Sequence, residues 1–189
     1  MISYKNISSS FTSGGVDCVD DVDGVYLSGY ALLDFRSREA VLSMVKKIKA
    51  AGKPIYFDPT TTGAMKIVSL EEALSWVAMM DGILLNSEEA LYLGNSKDLV
   101  EAEKNLQKYT PLVVIKLGSK GAMAVDGSES AKVPAVTTNV VDTTGAGDSF
   151  AAGFIPKWLE TSDLTQALTA GAALAAKCVS SVGARPPLN

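Results

Sequence analysis

Near the end of the chain, Asp142-Thr143-Thr144-Gly145-Ala146-Gly147-Asp148-Ser149-Phe150 places two carboxylates around two hydroxyls and a Gly-Ala-Gly turn. The β-branched Val140 and Val141 lead in as an extended segment, and an apolar helical run through Ala151, Ala152, Phe154 and Ile155 opens directly behind. The pattern predicts a helix N-terminus built to hold an anion, because the first N–H groups of a helix lack internal partners and the macrodipole adds partial positive charge there. Gly145 and Gly147 can adopt positive φ and let the backbone approach a ligand. Asp148, in the first turn, would sit beside that anion. From there a carboxylate can take a proton from a hydroxyl while the amides of Gly145, Ala146 and Gly147 stabilise charge on a moving phosphoryl group. The alternative is a plain capped helix, with Asp142 or Thr143 as cap and Asp148 as a favourable first-turn acid. It leaves the paired glycines unexplained.

Three other places carry chemistry. Asn86 and Glu89 follow a strand end three residues apart, so they share a helix face; ligands of parallel sheets collect at such carboxyl ends. An N-cap asparagine followed by first-turn acids would look the same. Lys116-Leu117-Gly118-Ser119-Lys120-Gly121 ends the most apolar strand. Its glycines permit a turn close to a nucleotide, or simply a tight turn into a hairpin. Lys116 reads equally as a phosphate ligand or a solvated strand residue. Gly183, behind the last helix, fits a C-cap.

The Asp142–Phe150 stretch closely resembles the C-terminal signature of the ribokinase-like (PfkB) carbohydrate kinases. The resemblance extends over nearly the whole chain and corresponds to the C-terminal portion of such a kinase. It implies a three-layer α/β/α, Rossmann-like fold with a mostly parallel sheet, ATP and Mg²⁺ as cofactors, and Asp148 as catalytic base over an anion hole of Gly145, Ala146 and Gly147. It implies that Asn86-x-x-Glu89 helps place magnesium, with Glu89 acting through water, and that Lys116, Gly118, Ser119 and Gly121 border the ATP site. Ala172 stands where many relatives carry Asn near the adenine, so the pocket there is expected to be more apolar. The resemblance further implies that the Gly183 turn packs against the Asp142 loop, where the carbonyls of Thr144, Ser181 and Gly183 and the Asp142 carboxylate would hold a monovalent cation such as K⁺. Two departures stand out. Thr60-Thr61-Thr62 replaces an Asn-x-Arg that several relatives carry after Asp-Pro, so no phosphate arginine is expected from this loop. The family's N-terminal portion, with its Gly-Gly sugar motif, central strands and lid, has no counterpart in the chain. The expected function is phosphorylation of a hydroxymethyl group on a sugar. The alternatives are a catalytically silent nucleotide-binding module left by truncation, or a kinase of nucleosides or vitamin-like alcohols.

The elements that must position these residues follow from patterning. The 189 residues are 47% hydrophobic, enough for a single α/β domain over 1–189 with a real core. A net charge of −4 argues against nucleic acid or an anionic membrane as partner. The chain has no histidine, which removes histidine bases and metal ligands, and its two cysteines, Cys18 and Cys178, lack metal spacing. Reduced thiols and no visible secretory signal lead us to expect a cytoplasmic protein.

Strands are predicted at Met1–Tyr4, Val25–Tyr30, Ile55–Asp58, Gly82–Leu85 and Pro111–Leu117, with a hairpin of Gly121–Val125 and Ala131–Val136 around Asp126-Gly127. Helices are predicted at Arg38–Ala51, after a Ser69-x-x-Glu72 capping box, and at Ser87–Leu93, Lys97–Tyr109, Ser149–Leu159 and Leu164–Ser180. Lys5–Gly15 and Thr60–Gly63 read as loops. The small-residue run of the last helix allows close approach of a neighbouring backbone or a flat ligand. Bare strand edges are usually covered, so we expect a dimer or larger assembly with its contact near Met1–Tyr30.

Overall fold

The structure, a computed structural model, describes residues 19–186. The expected strand at Met1–Tyr4 and loop at Lys5–Gly15 lie outside the described residues. A six-stranded sheet runs in the order β1 (Val25–Ser28), β2 (Ile55–Asp58), β3 (Gly82–Asn86), β4 (Leu112–Lys116), β5 (Ala122–Asp126), β6 (Glu129–Val133). The first four strands are parallel, and β5 and β6 close the sheet antiparallel. Helices α1 (Tyr30–Leu33), α2 (Arg38–Ala50), α3 (Thr62–Met65), α4 (Leu70–Val77), α5 (Ser87–Leu93) and α6 (Leu99–Leu106) connect the parallel strands. The pair α7 (Ala146–Thr161) and α8 (Leu164–Val179) follows the hairpin.

Side chains alternate across a strand, so a strand buried on both faces must be apolar throughout. Ile55, Phe57, Ile83, Leu85, Val113 and Ile115 enter one core with Val41, Val45, Ile48, Trp76, Val77, Leu93 and Leu106 of α2, α4, α5 and α6. Tyr56, Leu84, Leu112 and Val114 enter the other with Phe150, Phe154 and Leu168 of α7 and α8. Phe150, Phe154 and Trp158 stack along α7 at centroid distances of 6.0 and 6.3 Å. The two long helices meet closely because Gly153 and Gly171 lack side chains: a Cβ at Gly153 would lie 2.5 Å from the Ala170 carbonyl oxygen, and one at Gly171 would lie 3.0 Å from the Phe150 ring. The small-residue run of α8 therefore accommodates a neighbouring backbone.

Several expectations shift. α7 begins at Ala146 instead of Ser149, so the Gly-Ala-Gly segment belongs to the helix start. Thr62–Met65 is a helical turn capped by the Thr61 hydroxyl rather than loop. β6 runs Glu129–Val133, because the two-residue turn at Gly127 and Ser128 sets its register with Asp126 opposite Glu129. α6 is shorter than its pattern, starting after the Asp98 cap. Ser69 caps α4 through the Glu72 amide, but the Glu72 carboxylate pairs with Arg38 at 2.9 Å instead of closing the box.

The last residues of β2 and β4, Asp58 and Lys116, follow the parity of Tyr56 and Val114, so both point toward the α7/α8 layer. Ser28 lies in register with Asp58, and Asn86 with Lys116. The strand ends thus gather polar groups beneath the N-terminus of α7.

Candidate active site

The Asp142 loop is tied down before the helix begins. Val141 N donates to the Val179 carbonyl at 2.8 Å. The Asp142 carboxylate accepts from Thr144 N at 2.9 Å and from Gly183 N at 3.1 Å, and these donors hold it below the usual carboxylate range. The loop and the turn behind α8 are therefore joined directly through this side chain. Gly145 has φ +77°, and a Cβ there would lie 2.1 Å from the Ala184 carbonyl oxygen, so only glycine fits. Ala146 N bonds back to the Thr143 carbonyl at 3.2 Å and Ser149 N to the Gly145 carbonyl at 2.9 Å. The N-cap is Gly145, with no side chain capping it. Asp142 and Thr143 are not caps, which removes the plain capped-helix arrangement. The amides of Gly147 and Asp148 make no hydrogen bond among the described residues.

Opposite the loop, Asn86 is the N-cap of α5. Its side-chain oxygen accepts from Glu89 N at 2.9 Å, while the Glu89 carboxylate accepts from Asn86 N at 2.8 Å and from Asn86 Nδ2 at 2.5 Å. The capping box and the candidate ligand pair are thus the same two residues. Glu89 is only 3% exposed. Burial pushes its carboxyl up to about 7 against the opposing pull of the Asn86 amide and Lys116.

Lys116 is part-buried. Its ammonium pairs with Asp58 Oδ2 at 2.7 Å in a part-buried setting. It also lies 3.4 Å from where a Gly147 Cβ would stand, at the edge of the free amides. Asp58 Oδ1 accepts from Thr60 N at 3.0 Å. Thr60 itself has φ +79°, an outlying conformation for a β-branched residue. Thr60 is buried, and its hydroxyl has no partner among the described residues. Asp148 is exposed at the first turn of α7, and its Oδ1 accepts from the Tyr26 hydroxyl at 2.9 Å.

These groups line one cavity of about 560 Å³. It brings together Asn86, Glu89, Lys116, Gly118, Ser119, Gly121, Gly145, Ala146, Gly147, Asp148 and Ala172. Gly118 and Gly121 have φ +59° and +93°, and a Cβ at Gly121 would meet the Val133 carbonyl oxygen at 1.9 Å. Around Ala172 the wall is apolar, made by Val136, Val140, Ala175, Ala176 and Val179; around Asp148 it is polar, with Tyr26, Ser28, Tyr30 and Asp58. Thr144, Ser181 and Gly183 do not line the cavity; they pack behind the loop, where Thr144 O accepts from the buried Cys178 thiol at 3.5 Å.

Sequence reasoning missed Tyr26, Ser28, Tyr30, Asp58 and Thr60 as wall residues. A charged residue closing the apolar run Ile55-Tyr56-Phe57-Asp58 was the available signal for Asp58. Nothing in the sequence pairs Tyr26 with Asp148.

The model of the pfkB family carbohydrate kinases matches residues 4–189. An uncharacterized sugar kinase of Archaeoglobus fulgidus is 33% identical over 148 residues, 78% of this chain and 58% of the relative. Adenosine kinase of Sinorhizobium meliloti superposes with a TM-score of 0.85 at 27% identity, over 91% of this chain and 53% of that one. A ribokinase II of E. coli, solved in complex with ATP and Mg²⁺, superposes with a TM-score of 0.79 at 26% identity, over 88% and 55%. The chain thus spans about half the length of the relatives it matches.

Proposed function

The chain belongs to the pfkB family of carbohydrate kinases, and from that premise we propose that it supplies the nucleotide site, anion hole and catalytic base for ATP-dependent phosphorylation of a hydroxymethyl group on a sugar or related alcohol. One observation carries this reading: the Asp148 carboxylate shares the first turn of α7 with two amides, of Gly147 and Asp148, that make no hydrogen bond among the described residues, and this turn lines one cavity with the apolar face of α8 at Ala172, Ala175, Ala176 and Val179.

In this reading the adenine lies against Ala172, Ala175 and Val179, with the Gly118–Gly121 turn along the nucleotide. The amides of Gly145, Gly147 and Asp148 (not that of Ala146, which donates to the Thr143 carbonyl) and the Lys116 ammonium face the transferring phosphoryl group and stabilise the charge that develops on it. Asp148 accepts the proton of the acceptor hydroxyl as its oxygen bonds to the γ-phosphorus and the bond from that phosphorus to the β–γ bridging oxygen breaks, ADP being the leaving group.

Mg²⁺ supplies charge neutralisation across the phosphates. No group of three acidic, histidine or cysteine residues able to cage a metal occurs among the described residues. That fits an ion held mainly by substrate phosphates and one or two carboxylates. Glu89 would hold it through water, with Asn86 fixing the carboxylate. A monovalent cation would lie behind the anion hole, against the carbonyls of Thr144, Ser181 and Gly183. Both Asp142 oxygens already accept amide donors, so its carboxylate contributes there through remaining lone pairs.

A second reading, a nucleotide-binding module without turnover of its own, predicts a different outcome. Calorimetry with Mg–ATP and a coupled assay over a panel of sugars and nucleosides separate the two. Binding with acceptor-dependent ADP release supports the kinase; binding with no acceptor supports the silent module; no binding contradicts both.

A further inference from the structure

We propose that Tyr26 is a positioning residue for the reaction: its hydroxyl holds the Asp148 carboxylate so that Oδ2 is the oxygen that meets the acceptor. The inference rests on the reading of Asp148 as base. The Tyr26–Asp148 bond, at 2.9 Å, joins residues 122 apart in sequence. It links β1 at one border of the sheet to the first turn of α7, two elements that contribute to the same cavity wall. Asp148 is exposed, and Tyr26 supplies its one side-chain hydrogen bond among the described residues. Without that donor the carboxylate is free to rotate about its terminal torsion, which is broad for Asp.

Tyr26 suits the task chemically. A phenol donates one hydrogen bond from a ring with two torsions, so little freedom is lost in holding it. The charged groups facing it are the carboxylates of Asp148, Asp58 and Glu89, with Lys116 paired to Asp58. Loss of water around the hydroxyl, which faces Asp148 while part of the ring stays exposed, and then these acids push the phenol well above its ordinary range, so it stays protonated and acts as a donor. It is not a competing base. A general base gains most when its geometry is fixed before the substrate arrives, and one oxygen committed to Tyr26 leaves the other for the incoming hydroxyl.

The test is a double-mutant cycle in the enzyme as its gene encodes it, with a spectroscopic arm. Tyr26→Phe keeps the ring and removes the donor. We expect it to lower kcat by about 10-fold while leaving the KM for ATP within two-fold, and to add nothing when combined with Asp148→Asn. A merely structural Tyr26 would give additive losses or change KM. In 3-fluorotyrosine-labelled protein, the ¹⁹F resonance that disappears in Tyr26→Phe should move in Asp148→Asn; this arm needs no turnover. Unchanged kcat in Tyr26→Phe, additive losses, or an unmoved resonance would each overturn the inference. If Asp148→Asn itself keeps full activity, the base assignment fails instead, and the two failures are distinguishable.

Discussion

At Glu89, burial and hydrogen bonding oppose one another. The folded carboxyl sits at about 7, above its ordinary 4.5, so the native state retains a proton that the unfolded chain releases. Stability from this group is therefore fully present below about pH 4.5 and is lost as pH rises through about 7. The shift corresponds to about 3 kcal/mol as an upper figure. Glu89→Gln keeps the capping box and should flatten the fall in thermal midpoint between about pH 4.5 and 7. If Glu89 serves Mg²⁺, the ionised form is required, so Mg–ATP affinity should rise about tenfold from pH 6 to pH 8. Calorimetry in buffers of different ionisation enthalpy should record proton release, and Glu89→Gln should abolish both effects. Affinity independent of pH would remove Glu89 from the site.

Residue positions were legible where chemistry and local spacing coincide: Gly145, Gly147 and Asp148 stand together at the start of α7 and all three line the cavity. They were illegible where a partner comes from another element. Lys116 stayed ambiguous in the sequence because its ion pair with Asp58 is made across the sheet.

Among elements, the start of α7 depends on a backbone conformation that only glycine supports at position 145. Gly145→Ala puts a Cβ against the Ala184 carbonyl oxygen and forces a positive φ on an L residue. A thermal midpoint lower by several degrees, consistent with a cost of about 1–3 kcal/mol, and lost Mg–ATP binding are the expected outcomes; wild-type binding would show that the free amides do not serve the nucleotide. Thr60 should behave in the opposite sense. Its positive φ and its buried hydroxyl, without a partner among the described residues, are both unfavourable, so Thr60→Gly should raise the midpoint by a few degrees, as differential scanning calorimetry would record. A lower midpoint would mean that the methyl group's packing outweighs the strain.

Element existence was largely readable and element starts were not, for identifiable reasons. Gly-Ala-Gly carries no apolar period, so α7 seemed in sequence to begin at Ser149, although the backbone is helical from Ala146. The threonines after Pro59 suggested a loop because the cap formed by Thr61 serves only a single helical turn. The hairpin was clear from Asp126-Gly127, yet its register depended on the turn's length.

For the whole molecule, the apolar strands dictated the layered fold, and both cores lie where their alternation puts them. No helix among the described residues is long and apolar enough to cross a membrane. Among those residues β1 has a sheet neighbour on one side only, and Tyr26, Tyr30 and Phe35 are exposed on or just after it. An exposed strand with aromatic neighbours invites pairing, so we expect the 189-residue chain to self-associate through this border. Light scattering should give a dimer or larger species at micromolar concentration, and a stable monomer would refute that expectation.

The central claim is that Asp148 is the base of a phosphoryl transfer whose nucleotide is bound by other residues. Its most direct test replaces Asp148 with Asn in the enzyme as its gene encodes it and measures Mg–ATP affinity and single-turnover transfer side by side. The account predicts affinity within a few-fold of wild type and transfer slower by about 10²–10⁴, the usual contribution of a positioned base. Transfer at the wild-type rate would contradict it.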